Sequence, residues 1–450
     1  QSESVRALEG KIMESSKVQV IESSFVAPSE AAPTKELWLS PFDLMMANRG
    51  HTPVVFFYRS GAAFSDAARI KEGMAKALAA FYPLAGRLGV NGDGRAQISC
   101  SGEGALFVVA RSDLKSDDLD FTKPSPELRE MFVPRVEPSS LILAVQVTFL
   151  KCGGVVLGVT SHHAVADGPS MFHFMVTWSA FTRDGEGAAI DLPCHDRTLL
   201  RARSPPVVHP GALSVLCPRV TFSDTPERPA ATEVFTISRD QLIALRRLCG
   251  GASTFCSVSA LVWQCTSVAR RLQPDAVARL NFPANVRRRM ASQLVPDCYF
   301  GNALVFLGAA AASGDIASEA LASVAGRIGG AIARMDAELV RSAIDYSEVA
   351  GVDGRPMRGS MPETELRITS WLGMPAYGAD FGSGSPQAMT RAESVRGGVV
   401  YLIDDGPRDL QRGAGAVRVV VCLEAANMKE FGRLLYANIA EAAKKLALDN

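Results

Sequence analysis

Six histidines occur in the 450 residues, and two of them stand side by side in Ser161-His162-His163-Ala164-Val165-Ala166-Asp167-Gly168. Imidazole titrates near neutrality, so a histidine facing a cleft can take the proton of an attacking hydroxyl or amine. Asp167, four residues beyond His163, is followed by Gly168 and Pro169. That composition suits a helix start, with an aspartate cap and proline in the first turn. The same residues also suit a polar strand end whose histidines bond the backbone and whose aspartate only caps. Spacing alone leaves both readings open.

The surrounding pattern shows what must position these side chains. Residues 141–150 and 155–160 are strand-like runs joined by Lys151-Cys152-Gly153-Gly154, a hairpin signal, and residues 170–182 have helical apolar spacing. The histidines therefore sit where a strand exits into a helix. Upstream, residues 17–26 and 54–58 read as strands and 65–82 as a helix ended by Pro83. Residues 185–218, with Ser204-Pro205-Pro206 and His209-Pro210, lose all period and read as a crossover loop. Beyond it the pattern predicts a strand over 232–238, helices over 239–249 and 253–272, and strands over 279–285 and 303–307. One long helix over 315–345, strands over 367–371, 398–404 and 416–423, and a closing helix over 428–446 follow. The expected fold class is α/β, with two similar-sized mixed-sheet domains over 13–184 and 219–450. Residues 1–12 precede Met13 and read as a vector remnant.

Composition narrows the classes of function. Forty-seven basic residues balance 47 acidic ones, so no global field favours nucleic acid or an anionic membrane. The nine cysteines are scattered without a CxxC pair, which argues against a zinc site or a disulfide framework and for a reducing, cytoplasmic setting. The longest apolar stretches, 140–150 and 301–312, are too short to span a bilayer. No metal is expected.

His163-Ala164-Val165-Ala166-Asp167-Gly168, with Asp380-Phe381-Gly382-Ser383-Gly384 some 210 residues later, resembles the HxxxDG and DFGWG signatures of the plant BAHD acyltransferases. His51-Thr52-Pro53, Leu84-Ala85-Gly86-Arg87-Leu88, Tyr299-Phe300-Gly301-Asn302 and Ile368-Thr369-Ser370-Trp371 agree, in order, with the hydroxycinnamoyltransferase branch. The resemblance implies a monomer of chloramphenicol-acetyltransferase-like topology with a solvent channel between its domains. It implies an acyl-CoA thioester as co-substrate, with no permanently bound cofactor. His163 would be the general base, Asp167 would pair with Arg287 to fix the loop, and the Trp371 N–H would meet the developing oxyanion. Asp380, Gly382 and Gly384 would be structural, although Ser383 stands where the family has tryptophan.

Coenzyme A carries phosphates, which a neutral chain must meet with a local site. Arg288 and Arg289 are candidates, as are Ser253 and Thr254 at an expected helix start. Thr52, Val54, Phe56 and Thr369 are the expected substrate contacts. Shikimate-type relatives carry a serine and a tyrosine where this chain has Val54 and Phe56, a loss that weakens a polyhydroxylated acceptor. The expected acceptor of the hydroxycinnamoyl group is therefore an amine such as putrescine, agmatine or another polyamine, with Glu363, Glu365 and Asp297 as candidate partners for a distal ammonium. The alternative is O-acylation of shikimate, quinate or glycerol, with Arg355 and Arg358 as candidates to grip a carboxylate.

Overall fold

A computed structural model describes residues 17–31, 33–59, 66–137, 140–216, 228–287, 295–351, 361–394, 396–406 and 415–448. The hairpin forms as read: Leu143–Leu150 and Val155–His162 pair antiparallel, with Gly153 at φ 82° in the turn. Every residue of Val155–His162 is buried, which explains its nearly unbroken apolar run. It is flanked on its other edge by His51–Tyr58. The full six-stranded order is Val18–Val26, Ala105–Ser112, Leu143–Leu150, Val155–His162, His51–Tyr58 and Ala388–Arg391. That last strand comes from the C-terminal half, so a division at residue 219 does not separate the two sheets.

Helix Gly168–Asp184 starts at Asp167, whose carboxylate accepts from the Ser170 N–H at 3.0 Å. Helix Ala67–Ala80 packs along it, capped by Asp66. A Cβ added at Gly73 would fall 2.1 Å from Thr182 Oγ1, so this glycine permits the close approach of the two helices.

The second sheet runs Leu304–Ala312, Val277–Asn285, Glu365–Ser370, Val399–Asp404, Val417–Glu424 and Ala230–Ile237. Its central pairings around Glu365–Ser370 are parallel and the remainder antiparallel. Each sheet has its own apolar core, and Trp371, Phe381, Met389 and Ile403 from the C-terminal half pack into the first. Among the described residues of the crossover there is no strand, only two short 3-10 turns and isolated bridges.

The single helix expected over 315–345 is instead three: Ser313–Ser318, Leu321–Ala333 and Ala337–Ala350. Glu319 and Ala320 are extended, with ψ 152° and 141°, and Asp336 accepts from the Leu339 N–H at 2.7 Å to start the third helix afresh. A local cap overrode a continuous apolar period. No helix among the described residues is long and apolar enough to cross a membrane.

Gly158 lies in the middle of Val155–His162, where a Cβ would sit 1.8 Å from the Phe132 carbonyl oxygen. Gly158→Ala is expected to destabilise the fold by about 1–3 kcal/mol or more, because rigid backbone must move to admit the methyl. An unchanged urea midpoint would contradict this packing.

Candidate active site

Alternation along strands sets one face of each sheet against a shared cavity of about 510 Å³. Thr52, Val54 and Phe56 line it from His51–Tyr58, and Ser161 and Val159 stand opposite Thr52 and Val54 on the next strand. Gly168, Met171, Phe172 and Met175 contribute one stripe of the helix. The second sheet presents Arg367, Thr369 and Trp371, with Val399 and Tyr401 in register beside Arg367 and Thr369.

Of the two histidines, His163 lines the cavity and His162 does not. His162 Nδ1 accepts the Ala164 N–H at 3.2 Å, which assigns its proton to Nε2, and its ring meets His51 edge-on at 5.1 Å. His163 follows the strand end and is tied by its backbone N–H to the Gly50 carbonyl at 2.9 Å. Its pKa is pushed down to about 4, chiefly by burial and then by the Arg49 guanidinium, against weaker upward pulls from its own carbonyl and Asp167. At neutral pH it is an unprotonated imidazole, as a base must be.

Asp167 points away from His163 into a buried cluster. Its carboxylate takes Arg287 Nη1 at 2.8 Å, Arg287 Nη2 at 3.0 Å and the Ala303 N–H at 3.0 Å. Arg287 also donates to Ser170 Oγ and to the Tyr299 carbonyl. Burial would raise the Asp167 pKa, but Arg287 and the backbone donors hold it below the usual carboxylate value.

Trp371 is held by Phe172 at 5.8 Å and Tyr401 at 5.6 Å. Its Nε1 lies beside the helix start: a Cβ at Gly168 would be 3.8 Å from it and 3.2 Å from Met374 Sδ. Among the described residues the indole N–H donates to no protein group, leaving it available to the cavity.

Sequence reasoning missed the charge of the wall. Arg49, Arg367, Arg391 and Arg396 line the cavity, against the carboxylates Asp167 and Glu393. Asp167 is engaged with Arg287, and Glu393 lies 3.7 Å from Arg129. Arg49 and Arg367 both stack on the Phe306 ring, at 5.0 and 5.3 Å. The Arg49 pKa is lowered to about 9, by burial first and then by Arg367. These arginines come from separate strands and loops and share no spacing that a sequence could reveal.

Other expected residues lie elsewhere. Ser253 accepts the Cys256 N–H at 3.2 Å as an ordinary cap, and neither it nor Thr254 borders the cavity. Arg288, Arg289, Arg355 and Arg358 fall outside the described residues. The ammonium partners expected at Glu363, Glu365 and Asp297 are not in the cavity. Glu363 pairs with Arg228, and Glu365 turns toward Arg279 and Asn281, because it stands at the start of its strand, at the far end from Thr369 and Trp371. Asp380, Gly382 and Gly384 form a separate loop, in which Asp380 accepts both glycine N–H groups at 2.8 Å.

Residues 16–437 match the model of the Transferase family. The chain is 41% identical to putrescine hydroxycinnamoyltransferase 1 of Oryza sativa subsp. japonica, over 94% of this chain and 99% of the relative. It is 37% identical to shikimate O-hydroxycinnamoyltransferase of Nicotiana tabacum, over 93% and 99%. It is 36% identical to a hydroxycinnamoyl-CoA:5-hydroxyanthranilate N-hydroxycinnamoyltransferase of Avena sativa, again over 93% and 99%. The crystal structure of vinorine synthase superposes with a TM-score of 0.72 at 22% identity, covering 92% of this chain and 96% of that one.

Removing Arg287 strands a buried carboxylate, so Arg287→Ala should cost about 3–5 kcal/mol. Arg287→Lys should recover little, because one ammonium cannot reproduce the two-pronged contact. Equal melting temperatures for wild type and Arg287→Lys would contradict this.

The histidines make a second expectation. His162, His163 and His195 have pKa values lowered to about 3, 4 and 4, mainly by burial, from 6.5. The unfolded chain therefore binds protons that the folded one refuses below about pH 6.5, and stability should fall as pH drops from there toward 4. Thermal melts at pH 7 and 5 check it; a flat melting temperature would count against neutral burial.

Proposed function

The chain belongs to the BAHD acyltransferase family, and from that premise we propose that it transfers a hydroxycinnamoyl group from its CoA thioester to an amine, with His163 as the base. The observation that carries this reading is that His163, just after a strand of the first sheet, and Trp371, just after a strand of the second, line one cavity. As the acceptor nitrogen attacks the thioester carbonyl, His163 takes its proton, and the charge on the carbonyl oxygen is met by the Trp371 indole. Collapse forms the amide, breaks the C–S bond and returns the proton to the departing CoA thiolate. Phe56, Val54, Met171, Phe172 and Met175 supply apolar surface suited to a flat aromatic acyl chain.

For the acceptor, two considerations act together. Val54 and Phe56 offer no hydrogen bonds to a polyol, and relatives with named amine acceptors support N-acylation. Arg49 and Arg391 in the cavity wall oppose a second ammonium, as in putrescine or agmatine, and would favour an amine that also carries a carboxylate. O-acylation of a hydroxy acid such as shikimate or quinate is the second reading, favoured by the same arginines.

Incubation with coumaroyl-CoA and a panel of putrescine, agmatine, hydroxyanthranilate, shikimate, quinate and glycerol tests this. Thiol release and product mass should show an amide of the amino acid most readily. Ester as the only product would sink the amine reading, and a preference for putrescine would sink the electrostatic one. His163→Ala should lower kcat by about 10²–10⁴-fold with every acceptor.

A further inference from the structure

We propose that Asn302 is a positioning residue that fixes the His163 imidazole through its own backbone, with Asp43 and Arg197 as its buried support. The inference rests on His163 acting as the base. The loop from His163 to Asp167 is held at its far end by Arg287; its near end needs a separate tie. Asn302 Nδ2 donates to the His163 carbonyl at 2.9 Å. Arg197 Nη2 donates to the Val165 carbonyl at 2.8 Å.

One carboxylate organises both donors. Asp43 Oδ1 accepts the Asn302 N–H at 2.8 Å and Nδ2 at 2.9 Å, and Asp43 Oδ2 lies 2.6 Å from Arg197 Nη1. Ser40 adds its N–H at 3.0 Å and its hydroxyl at 2.8 Å to the same oxygen. Asp43 and Asn302 are 0% exposed and Arg197 2%. In this dry setting the Asn302 amide has only one useful orientation: both of its side-chain bonds, to Asp43 and to His163, use Nδ2, while Oδ1 has no partner. An unsatisfied buried oxygen costs stability, so the geometry retains Asn302 for what its nitrogen does.

The consequence is mechanical. The peptide after His163 cannot tilt unless Asn302 lets go, and the ring is carried on that peptide. A displacement of about 1 Å in a reacting group can cost about 10²-fold in rate. Freed from its place, the ring would also move relative to the charges that surround it: Arg49 before the strand His51–Tyr58, Arg391 on the edge strand, Asp167 on its own loop and His162 beside it.

Asn302→Ser tests this, because the shorter hydroxyl can still bond Asp43 but cannot reach the His163 carbonyl; Asn302→Ala removes both side-chain bonds and keeps only the backbone N–H to Asp43. In each, kcat should fall ten- to a hundredfold with the KM values for coumaroyl-CoA and acceptor little changed. The acid limb of the kcat/KM profile should move up toward the ordinary imidazole value. Wild-type kcat and an unmoved acid limb in folded Asn302→Ser would overturn the proposal. So would activity lost only in proportion to unfolded protein, or failure of both variants to fold, since either is a structural role alone. His163→Ala measured alongside separates the two readings: if it keeps its rate the base assignment fails, whereas an inactive His163→Ala with a normal Asn302→Ser removes only this inference.

Discussion

The ion pair of Asp167 and Arg287 joins the two sheets at the reacting end of the cavity. Asp167 ends the loop that leaves the first sheet, and Arg287 stands two residues beyond the strand Val277–Asn285 of the second. Burying two charges is unfavourable unless every lone pair and proton finds a partner. Here the carboxylate also caps the helix at Ser170 and takes the Ala303 N–H, while the guanidinium reaches the Tyr299 carbonyl. A single side chain thus starts the helix, closes the loop and docks one sheet on the other. His163 inherits its position from all three.

The same burial that fixes His163 lowers its basicity, and with His163 as the proposed base this would constrain the nucleophile. An imidazole with a pKa near 4 is free to accept a proton at neutral pH but cannot strip one from an ammonium in the ground state. Under the proposed reading, an amine acceptor would therefore have to reach the thioester already neutral. Arg49 and Arg391 would help, since a positive field disfavours the protonated amine. That field would act equally on a distal ammonium, which a diamine cannot shed at both ends without cost. A carboxylate on the acceptor reverses the sign of the second effect and leaves the first in place.

Much of this was legible along the chain because it is local. The strand exit at His163 and the Asp167 cap follow from short-range geometry, whereas Thr52, Val54 and Phe56 were expected at the cavity through the family resemblance. Arg287 became readable only through the family resemblance, for nothing near it in sequence indicates a partner 120 residues away. The arginine wall, the breaks in the helix over 315–345 and the tie from Asp43 to Asn302 were not legible, because each is decided by contacts between distant segments or by a single cap. Glu363 and Glu365 misled for a related reason: closeness in sequence to Trp371 does not bring a side chain to the same end of the strand.

The loop at Asp380 shows how a signature can lose its most conspicuous residue and keep its shape. Gly382 and Gly384 adopt φ of 98° and 86°, conformations that favour glycine, and Asp380 holds both of their N–H groups. Phe381 anchors the turn in the first core, edge-on to Trp178 at 5.0 Å and to Tyr58 at 5.9 Å. None of these contacts needs a side chain at position 383, where the Ser383 hydroxyl is buried without a partner. The turn therefore follows from aspartate, phenylalanine and two glycines. The exchange of tryptophan for serine falls away from the residues that line the cavity.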